Sequence, residues 1–233
     1  MPRRRRQSTA GLIFHVLNRG AKRSVLFEHA SDYAAFERVL SEAVSRFDVA
    51  IYAYCLMPNH WHLLTSPKID GALSRFMHWL TTTHARRWQT ARHTDGQGAV
   101  YQGRFKAIPI AEDEHFLWVS RYVERNPVRA MLVPAAADWR WSSVQRRQEG
   151  DCAWLAEWPV CRPSDWTDYL NRPQTEAELG AFRRSMAQAK PFGADAWCKE
   201  VFEKMGGVSR RGRGRPRDAR RGLSSKNDSR PLF

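Results

Sequence analysis

Two clusters in this 233-residue chain carry side chains able to act on a phosphate or hold a cation. The first is His60-Trp61-His62. In a strand, alternate residues share a face, so both imidazoles point the same way, about 6.5–7 Å apart along the backbone. Trp61 then faces the other side. Neutral imidazoles so placed suit a divalent cation; they also suit two ordinary polar residues on a wet sheet face. The second cluster is Arg121-Tyr122-Val123-Glu124-Arg125-Asn126-Pro127. Tyr122 and Asn126 are four apart, hence neighbours on one helix face. Taken alone, Tyr122 reads as a core aromatic with a hydrogen-bonded hydroxyl, and Glu124 as a solvated charge. His15, His29, His78, His84, His93 and His115 show no comparable pairing and read as surface or satisfied core residues.

The elements that must position these groups follow from hydrophobic patterning. Gly11 to Leu17 reads as a first strand closed by the turn Asn18-Arg19-Gly20. Ser31-Asp32 caps a helix to about Arg46, with Phe36, Val39, Leu40 and Ala43 at helical spacing. Val49 to Leu56 and His60 to Thr65 form a hairpin about Met57-Pro58-Asn59. A helix from Gly71 to about Arg92 follows, then a glycine-bearing loop. Val100 to Ile110 reads as a strand broken at Gly103, and Glu112 to about Arg125 as a third helix that ends or bends at Asn126-Pro127. This order predicts an α+β, ferredoxin-like split βαβ unit: one antiparallel sheet with helices on one face. A Trp- and Pro-rich stretch to about Pro173 and a short helix near Thr175 to Ala189 come next. The organisation is a basic arm (1–10), a main domain (11–147), an extension (148–205) and a basic tail (206–233).

The net charge of +14 sits mostly at the ends. Arg3 to Arg6 contribute +4, and Arg210 to Arg221, with seven arginines and one aspartate, contribute +6. The remainder is only +4. Arginine-rich ends favour a polyanion, since guanidinium grips phosphate bidentately. Arg213-Gly214-Arg215-Pro216, flanked by Arg211 and Arg217, resembles an AT-hook core. Glycine admits close approach, proline keeps the chain extended, and the arginines suit a narrow A·T minor groove. Gly206-Gly207 and the Arg/Gly/Ser/Asp composition mark this tail as disordered when free. No apolar run reaches the roughly 20 residues that span a bilayer, so no membrane partner is expected. Four scattered cysteines without a C-x-x-C fit a reducing compartment.

The motifs are most informative in order: Asn18-Arg19-Gly20, Met57-Pro58-Asn59-His60-Trp61-His62, Tyr101-Gln102-Gly103-Arg104-Phe105, Arg121-Tyr122 to Asn126-Pro127-Val128-Arg129-Ala130, and Trp139-Arg140-Trp141-Ser142-Ser143. This series, over about residues 10–147, resembles the REP-associated tyrosine transposases, relatives of the single-tyrosine transposases with a His-hydrophobic-His nuclease fold. The resemblance implies a metal-dependent endonuclease and strand transferase acting on single-stranded DNA near hairpins, in palindromic repeat elements. By motif matching, His60, His62 and Asn126 become ligands of Mg²⁺ or Mn²⁺, and Tyr122 the nucleophile that forms a 5′-phosphotyrosine. An ordinary phenol, with pKa about 10, is only on the order of 0.1% ionised near neutral pH, so the attack needs help. Arg104, Arg121, Arg125 and Arg129 are expected along the DNA path, with Arg211, Arg213, Gly214, Arg215, Pro216 and Arg217 of the tail. The resemblance also implies a bacterial cytoplasmic, nucleoid-associated protein, working as monomer or homodimer. Two other readings stand beside it: a non-catalytic binder of structured DNA or RNA, and a phosphodiesterase using metal-activated water, which would not need Tyr122.

Overall fold

The computed structural model describes residues 9–206; the first eight residues and the basic tail from 207 onward lie outside them. The chain runs β1 (Ile13–Arg19), α1 (Ala30–Arg46), β2 (Val49–Met57), β3 (His60–Pro67), α2 (Ala72–Ala91), β4 (Lys106–Ile110), α3 (Glu114–Glu124) and α4 (Asn126–Arg129). It continues through α5 (Ser143–Gln148), α6 (Trp166–Asn171), α7 (Glu176–Gln188) and α8 (Asp195–Lys204). The four strands are antiparallel in the order β2-β3-β1-β4, which is the ferredoxin-like arrangement.

The sheet separates two apolar layers. Phe14, Val16, Tyr54, Leu56, Trp61 and Leu63 face α1 and α2, meeting Phe36, Leu40, Phe76 and Leu80. Ile13, Cys55, Leu64, Ile108 and Ile110 face the other way, against Phe116, Val119, Tyr122 and Val123 of α3 and Phe182 of α7. The two helices of the split βαβ unit thus share one face, as the sequence pattern predicts. The opposite face is covered as well, by α3 and α7. In β2 a register shift between Ile51 and Ala53 switches the inward parity from odd to even residues. That bulge explains why Val49–Met57 lacks a simple alternation.

Three local outcomes differ from the sequence pattern. The last strand begins at Lys106, because Gly103 takes a φ of 145° that a strand cannot continue. Tyr101 instead bridges to Gly20 separately. Asn126-Pro127 does not stop the helical path: α4 follows at once, with proline in the first turn, where its missing N–H costs nothing. The extension is not an appendage. Leu56 N donates to Trp141 O beside the β2 edge, and Phe192 lies along the β4 edge through Phe192 N to Pro109 O and Ala111 N to Phe192 O. Both sheet edges are thereby covered.

His84, on α2, is buried with its Nδ1 2.7 Å from the Tyr101 hydroxyl, and burial pushes its pKa down to about 3. The unfolded chain takes up a proton there near pH 6.5, whereas the folded chain does not. Stability is therefore full above that pH and falls as the pH drops towards 3. Between pH 7.5 and 5.5 this one group should cost about 1.4 kcal/mol. Urea unfolding at the two pH values should show a drop smaller by that amount in His84→Gln. An equal drop in both proteins would refute the assignment.

Candidate active site

A cavity of about 1100 Å³ opens on the sheet face covered by α3 and α7. Its floor is β1 and β3, with Leu17, Asn18, Arg19, His60 and His62; α3 and α4 bring Tyr122, Asn126 and Arg129. Arg104 comes from the approach to β4, Lys106 from its first position, and Arg183 and Met186 from α7. Among the described residues, five arginine or lysine side chains and no carboxylate line it. Arg183 is ion-paired with Glu176 at 3.5 Å, while among the described residues Arg19, Arg104, Lys106 and Arg129 form no ion pair, and this excess of positive charge suits a polyanion.

Strand alternation delivers the imidazoles. Trp61 is fully buried among α1 and α2, so His60 and His62 project into the cavity, ring centroids 5.0 Å apart. Each has one nitrogen engaged. His60 Nδ1 is 2.7 Å from Asn59 Oδ1, and His62 Nδ1 is 2.8 Å from His15 Nε2. The Nε2 atoms are left to ligate. Burial, with Arg19 and Arg129 nearby, lowers His60 to about 4. Burial, with His60, His15 and Arg129, holds His62 well below its ordinary value. Both rings are thus neutral at physiological pH, as ligation of a divalent cation requires.

His15 was missed by sequence spacing. It lies on β1, opposite Leu64 and diagonal to His62, on the same sheet face. Burial pushes it to about 3, and its Nδ1 is buried without a partner. The signal was available: aligning the turn ends of β1 and β3 puts His15 and His62 on one face.

Tyr122 meets this pair. Its ring stands edge-on to His62 at 5.9 Å and to His15 at 6.0 Å. Trp118 stacks beside it, Phe182 of α7 packs at 4.7 Å, and the Arg129 guanidinium lies 4.3 Å over it. Tyr122 is 5% exposed. Asn126 sits one turn later. Its amide donates to Tyr122 O and Val123 O at 3.2 and 3.4 Å, and its oxygen accepts from Arg129. The Asn126 oxygen, the one atom of its amide able to ligate a cation, thus shares its lone pairs with Arg129.

The expected arginines divide. Arg104 and Arg129 line the cavity. Arg121 does not: it is 5% exposed, donates to Arg172 O and Pro173 O, and lies 4.3 Å over Tyr169. One residue before Tyr122, it is turned about 100° around the helix, towards the extension. Arg125 is half-buried and outside the cavity lining. Arg211, Arg213, Gly214, Arg215, Pro216 and Arg217 lie outside the described residues. Arg183, unforeseen, lines the cavity from the extension. Glu124 is not solvated. It is fully buried, accepting from Ser143 Oγ at 2.6 Å and Trp166 Nε1 at 2.8 Å. Burial raises its pKa.

Comparison with known proteins places the molecule among the DNA transposases. The chain belongs to the IS200-like transposase family, whose model matches residues 8–126, just over half of its length. The match spans His60, His62 and Tyr122 and ends on Asn126. A solved REP-associated tyrosine transposase bound to a REP hairpin is similar, with 19% identity and a TM-score of 0.52 over 70% of this chain and 92% of that one. At that identity the likeness concerns the fold, and it agrees with the ferredoxin-like sheet. A Deinococcus radiodurans R1 structure provisionally described as a transposase is 18% identical, with a TM-score of 0.37 over 53% of this chain and 96% of that one. No curated protein matches the chain. Among the described residues, no helix is long and apolar enough to cross a membrane.

The Glu124 carboxylate ties α3 to the extension, so the tie should be measurable. Trp166→Phe removes one donor while keeping an aromatic ring, leaving a buried acceptor unsatisfied. Chemical denaturation should show a loss of about 1–3 kcal/mol. Unchanged stability would mean that the indole N–H does not hold the carboxylate.

Proposed function

We propose that the protein cuts and rejoins single-stranded DNA through Tyr122, beside hairpins of palindromic repeats, with a divalent cation at His60 and His62. The observation that carries this reading is the edge-on contact of Tyr122 with His62 inside a cavity lined, among the described residues, by Arg19, Arg104, Lys106, Arg129 and the Glu176-paired Arg183. The structural neighbour bound to a REP hairpin supports the choice of DNA.

The Tyr122 oxygen attacks the scissile phosphorus. The new oxygen–phosphorus bond forms as the bond to the 3′-oxygen breaks. The products are a 5′-phosphotyrosine and a free 3′-hydroxyl; the phenolic proton is lost and one proton is gained by the 3′-oxygen. The covalent link conserves the phosphodiester energy, so another hydroxyl can later reseal the strand. Arg129, over the Tyr122 ring, puts positive charge where negative charge develops. Arg19, Arg104, Lys106 and Arg183 hold the neighbouring phosphates. His60 and His62 fit Mg²⁺ or Mn²⁺, the latter better matched to imidazole. Held by those two imidazoles, a cation would supply positive charge to offset that on the phosphate oxygens. Asn126 would join the ligand set through the second lone pair of its oxygen, beside the bond from Arg129. The tail arginines add affinity for the duplex beside the cut. The protein acts as monomer or homodimer in the bacterial cytoplasm.

Two measurements test this. A hairpin-bearing single strand incubated with the full chain and Mn²⁺ should give a covalent protein–DNA band on denaturing gels, and Tyr122→Phe should remove it. Cleavage that survives the substitution would mean a hydrolase instead. Separately, His15 orients His62, and loss of such an outer partner weakens metal binding about 10–100-fold. His15→Phe should raise the Mn²⁺ dissociation constant by that factor in an electron paramagnetic resonance titration. An unchanged constant would remove His15 from the site.

A further inference from the structure

We infer that a second groove, along α2, carries the unpaired DNA strand that runs on from the bond cut in the Tyr122 cavity. This rests on the function proposed above. The groove, about 530 Å³, lies between α2 and residues 98–105. Asn18, Gly103 and Arg104 line both the groove and the Tyr122 cavity, so the two form one trough with a shared saddle.

The α2 wall is a polar stripe. Ser74, His78, Thr82 and Arg86 line it at intervals of four residues, one face of the helix. The opposite face, with Phe76, Met77 and Leu80, is in the core. Among the described residues, no carboxylate lines the groove. Arg86 and Arg104 are exposed, and among the described residues neither forms an ion pair. Their neighbour Arg87 behaves differently: it is tied to Glu42 by two 2.9 Å contacts, on the α1 side of the helix. The groove therefore keeps its positive charge, and hydroxyl, imidazole and guanidinium groups suit phosphates and base edges. Phe105, packed against the core, closes the wall of the groove.

The saddle is built to let a chain pass. Gly103 has φ 145°, and a Cβ added there would meet nothing within 4 Å, so the space beside it is open. Asn18 Nδ2 holds the Gly103 carbonyl at 3.3 Å, fixing this loop to β1. A strand whose phosphate sits at Tyr122 can cross the bare glycine and continue along α2. A short strand fills the Tyr122 cavity first, since that cavity has five cations and the groove only two.

The test uses the full chain and oligo-dT strands of about 4 and about 16 nucleotides, followed by fluorescence anisotropy over a salt series. Arg86→Ala should lower the salt slope for the longer strand by about 0.7, the share of one single-strand phosphate contact, and leave the shorter strand's slope unchanged. Arg87→Ala, the same charge change outside the groove, should leave both slopes at the wild-type value. Equal effects of the two substitutions, or none from Arg86→Ala, would overturn the groove. The covalent band made by Tyr122 separates the two readings. A band with no Arg86 effect leaves the tyrosine chemistry standing and removes the groove. An Arg86 effect with no band keeps the groove as a strand-binding surface and removes the chemistry.

Discussion

The site depends on the two-sidedness of β3. Trp61 is wedged among α1 and α2, and this fixes which way its neighbours point. A slip of one residue would put the indole into the cavity and both imidazoles into the apolar core. The large buried ring makes that exchange very unfavourable, so the core on one face enforces the chemistry on the other. On the cavity face, packing that includes Tyr122 of α3 and Phe182 of α7 buries the imidazoles, and this desolvation favours their neutral form. Among the described residues, His15 Nδ1 is buried there without a hydrogen-bond partner.

The other half of the site is set by α3, which is held from behind. Tyr122 faces the sheet, while Arg121 and Glu124, on other sides of the same helix, reach the extension. Glu124 is a buried carboxylate, and burying one is favourable only when its acceptors are filled. Ser143 and Trp166 fill them, so α3 cannot rotate without exposing the charge to unpaired burial. Arg121 adds a second point of attachment around the helix. Two polar anchors and the apolar packing of Phe116, Val119 and Val123 fix the angle at which the phenol meets His62.

Much of this was legible in the sequence, because its signals were local. Period-two spacing places His60 and His62 on one face, and i, i+4 spacing places Tyr122 and Asn126 on one helix turn. The strand order follows from the element pattern. What was not legible depends on contacts far apart in the chain. His15 and His62 are 47 residues apart and meet only once β1 pairs with β3. Glu124 resembles a solvated charge until Trp166, 42 residues on, covers it. Arg121 and Arg129 are equivalent in composition, but only the second reaches the cavity, because the helix turns the first away. The segment after 148 lacks simple periodicity, since its aromatic residues pack singly into gaps between elements, as Trp158 does against Trp166 and Phe116.

The cavity has two origins, and the division has a consequence. The imidazoles, the phenol and Asn126 all fall within the family-matched residues 8–126. Arg129 and Arg183 fall beyond them, on α4 and α7, and face the same cavity. The imidazoles and the phenol thus belong to the family-matched sheet and helix, while part of the cavity's positive charge comes from later in the chain. Phe182 joins the two, packing on Tyr122 and His15 from the same helix that carries Arg183. A change in α7 therefore alters both how the phenol is packed and how much positive charge it sees. The extension shapes the cavity through that helix, even though it supplies none of the groups that would react.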